Sequence, residues 1–502
     1  MVSMLVGRPI SAVGGLLVLI LLSRYMSPSE YGVYFALWAL IEILILCSNV
    51  GLLHAVYRYV SAIETVDRVI IPDGPVRSVI FWRCITLVCA GILLIYSSQI
   101  VLGAFNLDNL DASYLKIVAI IVFCEGMARF FEIIFDSMLC QGRSQITLVS
   151  RTIVRLLGIL YLLVLDSGAI HIEQILRIEM LATALGAIFG VVMLQVIYRK
   201  SKFNNSNSYI QEKPSFRKIT RFAIPAFIAQ VLGLVYGPDA LKLVLSSVGD
   251  SRELAIFGFA YSLAAVVQRY IPANLLAGLF RPLFVAAAKK DNPQNLLCDL
   301  LVVCIKINWL VIAPLACAVY LFGDKLLLTI SNGNYPNAGF VLLIVVCSLL
   351  AVAVHLTFSQ YCLAIENSWP PLFATAIATV GLPLGFFLGK QHGALGVAVA
   401  FGVAELIWCV ACASVIFARR SDFSTGYWSG LLKIVVITLL SVCFVELVRW
   451  ITGSNLYLLG FVLAVTFFLL LIMMRVFNQR EIDWLVSVLP FGSIVKRVFG
   501  FG

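Results

Sequence analysis

The chain has 502 residues, 61% of them hydrophobic and only 12% charged. Soluble domains carry about a quarter charged residues and are nearer half apolar, so the composition excludes an ordinary soluble protein and implies an integral membrane one. The formal charge of +10 comes from 36 Lys and Arg spread between apolar stretches, which argues against a nucleic-acid surface. The 13 cysteines sit singly in apolar runs, which argues against a disulfide or zinc framework.

A helix crossing a hydrocarbon core of about 30 Å needs roughly 20 apolar residues, and about 14 runs of that kind follow one another. They cover 4–22, 33–53, 80–102, 115–138, 146–165, 172–198, 219–245, 255–284, 296–321, 338–364, 371–389, 394–418, 430–450 and 456–477. The first lacks a basic lead and a small-residue cleavage site, and it reads as a retained helix rather than a signal peptide. The predicted class is an all-α integral membrane protein.

Lys and Arg stay cytoplasmic during insertion, so the loops set the orientation. Connections after odd-numbered spans are poor in them, with Arg24, Lys116, Arg177, Arg252, Lys325, Lys390 and Arg449. Connections after even-numbered spans are richer: Arg58, Arg68, Arg77 and Arg83 in the first, and Arg199, Lys200, Lys202, Lys213, Arg217, Lys218 and Arg221 at the midpoint. Both termini are therefore expected in the cytoplasm. The expected division is an N-terminal six-helix lobe over 1–198, a cytoplasmic linker over 199–218 and a second six-helix lobe over 219–418. Two additional spans over 419–477 and a cytoplasmic amphipathic tail over 478–502 complete it.

The start of the second half repeats the start of the first. Ser23 to Ala36 and Leu245 to Tyr261 each run from a charged turn into a Gly followed by aromatic and small residues. Two six-span units of like topology would pack as parallel repeats about an axis along the membrane normal, a common transporter plan.

The pattern Arg24, Pro28, Glu30-Tyr31-Gly32 and Tyr34, then Gly51-Leu52, Ala55 and Arg58, resembles the bacterial polysaccharide and O-antigen repeat-unit flippases. So do Phe222-Ala223-Ile224-Pro225, Gly258 with Tyr261, and Phe322-Gly323 with Gly333, Tyr335 and Ala338. Their superfamily also holds multidrug exporters and peptidoglycan-precursor flippases. The resemblance implies two six-helix lobes around a central cavity with two appended spans. It also implies a polyprenyl-pyrophosphate-linked oligosaccharide as cargo, carried from the cytoplasmic to the outer leaflet of the bacterial inner membrane by alternating access. Membrane lipids, a polysaccharide polymerase and a chain-length regulator are the other expected partners.

Ionisable groups inside spans are costly and mark cavities or partners. Here they include Arg8, Glu42, Arg155, Glu179, Asp239, Lys242, Arg269, Lys306, Glu405 and Glu446. Glu125, Arg129, Glu132 and Asp136 recur at helical spacing and share one stripe of span 4. A pyrophosphate is held by Arg forks and Lys point charges, which selects Arg8, Arg24, Arg58, Lys242 and Arg269 as cargo-binding candidates. Arg24 and Arg58 equally suit snorkelling to lipid headgroups. Glu42, Asp239 and the span 4 stripe are candidates for ion coupling or for charge pairing, with Arg129 bridging to Glu125 or Glu132 in the second case. An inside-negative membrane releases about 2.3 kcal/mol per negative charge moved outward per ~100 mV, so an anionic cargo is already driven in the required direction. Pro238 beside Asp239 reads as a kink or a hinge.

No cofactor, metal or catalytic residue is expected. His54, His171, His355 and His392 have no ligand spacing, the Cys409/Cys412 pair lies inside an apolar helix, and no phosphate-binding GxxxxGK[ST] loop is present. The rivals to a flippase are an ion-coupled multidrug exporter, whose cavity would lean acidic and aromatic, and a membrane polymerase or ligase, which would need a longer outer loop.

Overall fold

The computed structural model describes residues 2–53, 56, 63–65, 68–70, 73–107, 110–138, 140–165, 170–204, 227–275, 284, 293–365, 367, 369–417, 426–453, 456–478 and 481–482. These are helical apart from short joints and one hairpin of two three-residue strands. In chain order, the first part comprises α1 Val2–Tyr25, α2 Pro28–Cys47, β1 Ile63–Thr65, β2 Arg68–Ile70, α3 Asp73–Tyr96, α4 Ser98–Ala104, α5 Ala112–Ser137, α6 Gln141–Leu165 and α7 Ile172–Asn204. Then come α8 over 227–235, α9 Pro238–Val248, α10 Ser251–Tyr270, α11 Pro293–Ile330, α12 Ala338–Ala364, α13 Trp369–Ala378, α14 Gly381–Phe417, α15 Gly426–Thr452 and α16 Leu456–Met474.

Every predicted span meets a helix, and the chain is an all-α multi-pass membrane protein. Ten helical segments among the described residues are long and apolar enough to cross a bilayer. One of them, Trp369–Phe417, is 49 residues long and holds two predicted spans. Its break is Gly393, whose φ of 56° is a left-handed backbone that glycine adopts without steric cost. α5 is not among the ten because its 26 residues, though apolar on average, carry five charged ones, Lys116, Glu125, Arg129, Glu132 and Asp136.

Boundaries moved where capping chemistry decided them. α2 starts at Pro28 rather than near residue 33, because Ser27 accepts the Glu30 N–H at 3.2 Å and Pro28 occupies the first turn. α7 runs on to Asn204, into the segment expected as linker, and residues 205–226 lie outside the described set, as does most of the expected amphipathic tail. Predicted span 7 is broken at Tyr236–Gly237, and Pro238 opens α9 at a position where its missing N–H is harmless. The hairpin was not anticipated. β1 and β2 pair antiparallel with Ile63 opposite Ile70, Glu64 opposite Val69 and Thr65 opposite Arg68, four of the six being β-branched residues that favour strands.

The chain divides into two compact units. The first is Met1–Phe259 with Ile330–Asn334 and Gly389–Ala394; the second is Ala260–Thr329, Tyr335–Leu388 and Leu395–Gly502. In the first, α5 packs on α3, α6 and α7, α6 on α1 and α7, and α9 on α2. The two segments alike in sequence meet there: Ser29 Oγ lies 2.9 Å from Ser251 Oγ, and Tyr31 packs its ring 6.3 Å from that of Phe259. In the second, α15 and α16 pack together, and Cys317 of α11 joins Val445, Leu459 and Leu463 in one buried cluster.

Candidate functional site

The stripe on α5 is the centre of a buried ionic lattice in the first unit. Glu125 lies halfway along α5 with a side chain only 3% exposed, and all three guanidiniums of the lattice reach it. Arg129, one turn on, donates from Nε to Glu125 at 2.7 Å. Arg151 of α6 approaches Glu125 at 2.5 Å, and Arg155, a turn further, at 3.6 Å. Each arginine then holds one outer carboxylate. Arg129 forks onto both oxygens of Glu42 on α2 at 2.6 Å, Arg151 donates to Glu132, and Arg155 Nε lies 2.6 Å from Glu179 on α7. The Arg155–Glu179 contact is an ionic approach rather than an aligned hydrogen bond, since neither atom has a hydrogen-bond partner.

Hydroxyls and rings complete the shell. Tyr34 donates to Glu179 at 3.2 Å, Thr147 to Glu132 at 3.3 Å, and the Arg155 guanidinium lies 5.2 Å from the Trp38 ring centre. The aliphatic stem of Arg151 passes over Gly186 of α7, where a Cβ would lie 2.5 Å from its Cγ and Cδ. Glycine at 186 is what lets that arginine reach the hub. Four carboxylates share three guanidiniums, so removing an arginine deepens a net negative charge while neutralising Glu125 balances the set.

Sequence reading found Glu42, Glu125, Arg129 and Glu132, and named Arg155 and Glu179 as isolated charges. One of its two readings of the stripe had Arg129 bridging to Glu125 or Glu132; the Glu125 bridge is present, and Arg129 also forks onto Glu42. Arg151 was missed as a lattice member. It falls inside predicted span 146–165 and inside α6, yet it was counted with the loops and not named among the charges within spans. Spacing four residues before Arg155 was the available signal. Arg83, also counted with the loops, is 3% exposed and donates to Ser48 Oγ and the Ile45 carbonyl at 3.2 and 3.0 Å. Asp136 continues the stripe, half-buried, one turn beyond Glu132.

The members of the expected cargo-binding set whose side chains are described lie on separate helices. Lys242 on α9 is buried, bonds Asp239 at 2.8 Å and faces the Phe35 ring at 5.8 Å. Arg24, in the last turn of α1, is exposed, and so is Arg269 in the last turn of α10. Arg8 belongs to α1 but its side chain lies outside the described set, as does all of Arg58.

Among the described residues of the second unit, ion pairs stand separately from one another. Lys306 of α11, 1% exposed, bonds both oxygens of Glu481 at 2.7 and 2.8 Å, and Glu481 also accepts the Asn478 N–H at 2.8 Å. His355 of α12 contacts Glu405 of α14 at 2.9 Å. Among the described residues no group of three or more His, Cys, Asp and Glu is arranged to hold a metal ion.

The fold is similar to that of known transporters. A lipid II flippase, MurJ, in its inward closed conformation aligns with a TM-score of 0.69 at 15% identity, covering 95% of this chain and 99% of that one. An inward-facing multidrug resistance MATE family transporter of the MOP superfamily gives 0.56 at 14% identity, covering 82% and 96%. A mutant of the Vibrio cholerae MATE transporter VcmN gives 0.52 at 16%, covering 84% and 98%. No curated protein matches the chain. The family described as "Polysaccharide biosynthesis protein" matches residues 1–284, more than half of the sequence. The chain therefore belongs to the polysaccharide biosynthesis protein family, built on the fold of MOP-superfamily flippases and transporters.

Proposed function

We propose that the protein is a flippase for a polyprenyl-pyrophosphate-linked oligosaccharide repeat unit. It moves this unit from the cytoplasmic to the outer leaflet of a bacterial inner membrane, both of its termini being cytoplasmic, and serves O-antigen, capsule or exopolysaccharide assembly. It works by alternating access as a secondary transporter, not an enzyme, ahead of a polymerase and a chain-length regulator. The observation that carries this reading is family membership over 1–284 joined to coverage: the lipid II flippase fold accounts for 95% of the chain, while the MATE folds account for 82–84%.

Within this reading Arg24 and Arg269 are exposed guanidiniums suited to phosphate oxygens. Lys242 reaches a phosphate only by leaving Asp239. The lattice around Glu125 serves as charge pairing, because each of its four carboxylates is already engaged by arginine. It fixes α2, α5, α6 and α7 as one body, against which another part of the protein moves.

The test is the sidedness of lipid-linked oligosaccharide in cells lacking the protein. Accumulation on the cytoplasmic leaflet, relieved by wild type and relieved more slowly by Arg269→Ala, supports the reading. Normal arrival at the outer leaflet with polymer alone missing contradicts it and favours a polymerase or ligase.

A further inference from the structure

His355 and Glu405 stand alone in their surroundings. α12 and α13 carry no Asp, Glu, Lys or Arg, and residues 395–417 of α14 carry only Glu405. His355 is the one histidine in the same segments. Two isolated ionisable groups, 50 residues apart, meet at 2.9 Å inside apolar helices. Such a meeting is costly to build in a membrane and marks a functional site by default.

The surroundings hold the imidazole in one pose. Trp408, one helical turn after Glu405, stacks on it with ring centres 3.6 Å apart and planes 18° from parallel. The indole is itself anchored, donating Nε1–H to Thr375 Oγ1 of α13 at 3.0 Å. Nδ1 faces the carboxylate, whose side chain is 8% exposed, whereas the imidazole side chain is 26% exposed. The enclosed partner is the acid and the accessible one is the base.

Other titratable groups on the helices concerned are thiols, a tyrosine and one matched cation. Cys409 donates its S–H to the Ala351 carbonyl at 3.2 Å, and Cys347, Cys362 and Cys412 lie on the same helices. Tyr361 lies on α12, α13 has no titratable side chain, and Lys306 on α11 is neutralised by Glu481. Among the described residues of α12, α13 and 395–417 of α14 no other Asp, Glu, Lys or Arg than Glu405 is present.

We propose that the His355–Glu405 pair of the second unit binds the proton that drives transport, so that the flippase described above exchanges protons for its lipid-linked cargo. This rests on the flippase reading. A proton from the outer aqueous side adds to the imidazole Nε2, giving an imidazolium–carboxylate pair of zero net charge that tolerates enclosure. Release to the cytoplasm leaves a neutral imidazole donating Nδ1–H to Glu405 and a net charge of −1, which favours a water-exposed state. One proton enters and one leaves per cycle, and the burial preference of the two forms differs in sign. The lattice of the first unit cannot do this as readily, because its carboxylates are already spoken for by guanidiniums.

The test uses the full chain in phospholipid vesicles with a labelled polyprenyl-pyrophosphate N-acetylglucosamine as probe. Valinomycin with equal potassium on both sides holds the potential at zero while a pH gradient is imposed, acid on the receiving side. Wild type should flip the probe at least tenfold faster with the gradient than without it. His355→Asn and Glu405→Gln, which keep the hydrogen bond but not the proton exchange, should fall to the rate without a gradient, yet still respond to a potassium diffusion potential. A wild type that flips under the potential but ignores the pH gradient overturns the proton site and leaves the flippase reading standing. Absence of flipping under either drive overturns the flippase reading itself. A cargo-independent measurement guards against misfolded variants: the Trp408 emission, isolated by difference from Trp408→Phe, should vary with pH in wild type and not in His355→Asn. Persistence of that variation in His355→Asn overturns the assignment.

Discussion

The first unit gathers seven ionised side chains into one lattice, and the second holds its ionised side chains in separate pairs. In the lattice Glu125 is touched by three arginines and each arginine serves two carboxylates. Neither Glu125 nor any of the arginines can change its charge without disturbing contacts on more than one helix. His355 has one carboxylate partner and an accessible edge, so a proton can come and go with a single contact altered. The difference teaches that buried charge in a transporter has two uses, and that the number of partners separates them. Shared charges lock helices together, and a single pair with an accessible titratable partner, such as His355 with Glu405, is free to switch.

The largest expected effect breaks the lattice at a guanidinium. Arg151→Met removes a partner from both Glu125 and Glu132 and deepens the negative excess, at a cost toward the top of the about 3–5 kcal/mol seen when a buried pair loses one member. Glu125→Gln, which balances the charges and keeps acceptor atoms, should cost clearly less. Thermal unfolding in detergent compares them, and equal losses would mean that the lattice is not governed by charge count.

A second test asks whether an isolated pair in the second unit is structural. Lys306→Met should cost about 3 kcal/mol by leaving Glu481 buried and unpaired, while the double variant Lys306→Met with Glu481→Leu should recover most of it. A double variant as unstable as the single would show that the pair contributes more than neutralisation.

The smallest effect comes from a lone exposed carboxylate, the reference for both regions. Asp111 caps α5 by accepting the Ser113 N–H at 3.2 Å, and this bond holds its carboxyl below the usual range. Its contribution is therefore present above the unfolded-chain value of about 3.9 and is lost as pH falls through the lower folded value. The difference in thermal midpoint between wild type and Asp111→Asn should shrink on acidification below about pH 4.

The sequence made the spans legible because length and hydropathy are properties of single segments. Even the break at Gly393 falls between two runs read separately as 371–389 and 394–418. The stripe of α5 was legible because its periodicity is local. Its partners were not, since nothing in a one-dimensional pattern joins Glu42 to Arg129 across 87 residues or Glu179 to Arg155 across helices. Arg151 lies inside both the predicted span and α6, and its place four residues before Arg155, on the same helical face, was the local signal that went unused. His355 was weighed only for metal-ligand spacing and Glu405 only as a solitary charge. That His355 was the one histidine or charged residue of 338–364, and Glu405 that of 395–417, was the clue that they belong together.

The most direct measurement reconstitutes the purified chain in vesicles with the labelled polyprenyl-pyrophosphate sugar and, in parallel, a cationic dye, under a potential that is negative on the cytoplasmic side. The account predicts transfer of the lipid-linked sugar to the opposite leaflet with no dye export. Dye export without movement of the sugar would contradict it and make the protein a multidrug exporter on the same fold.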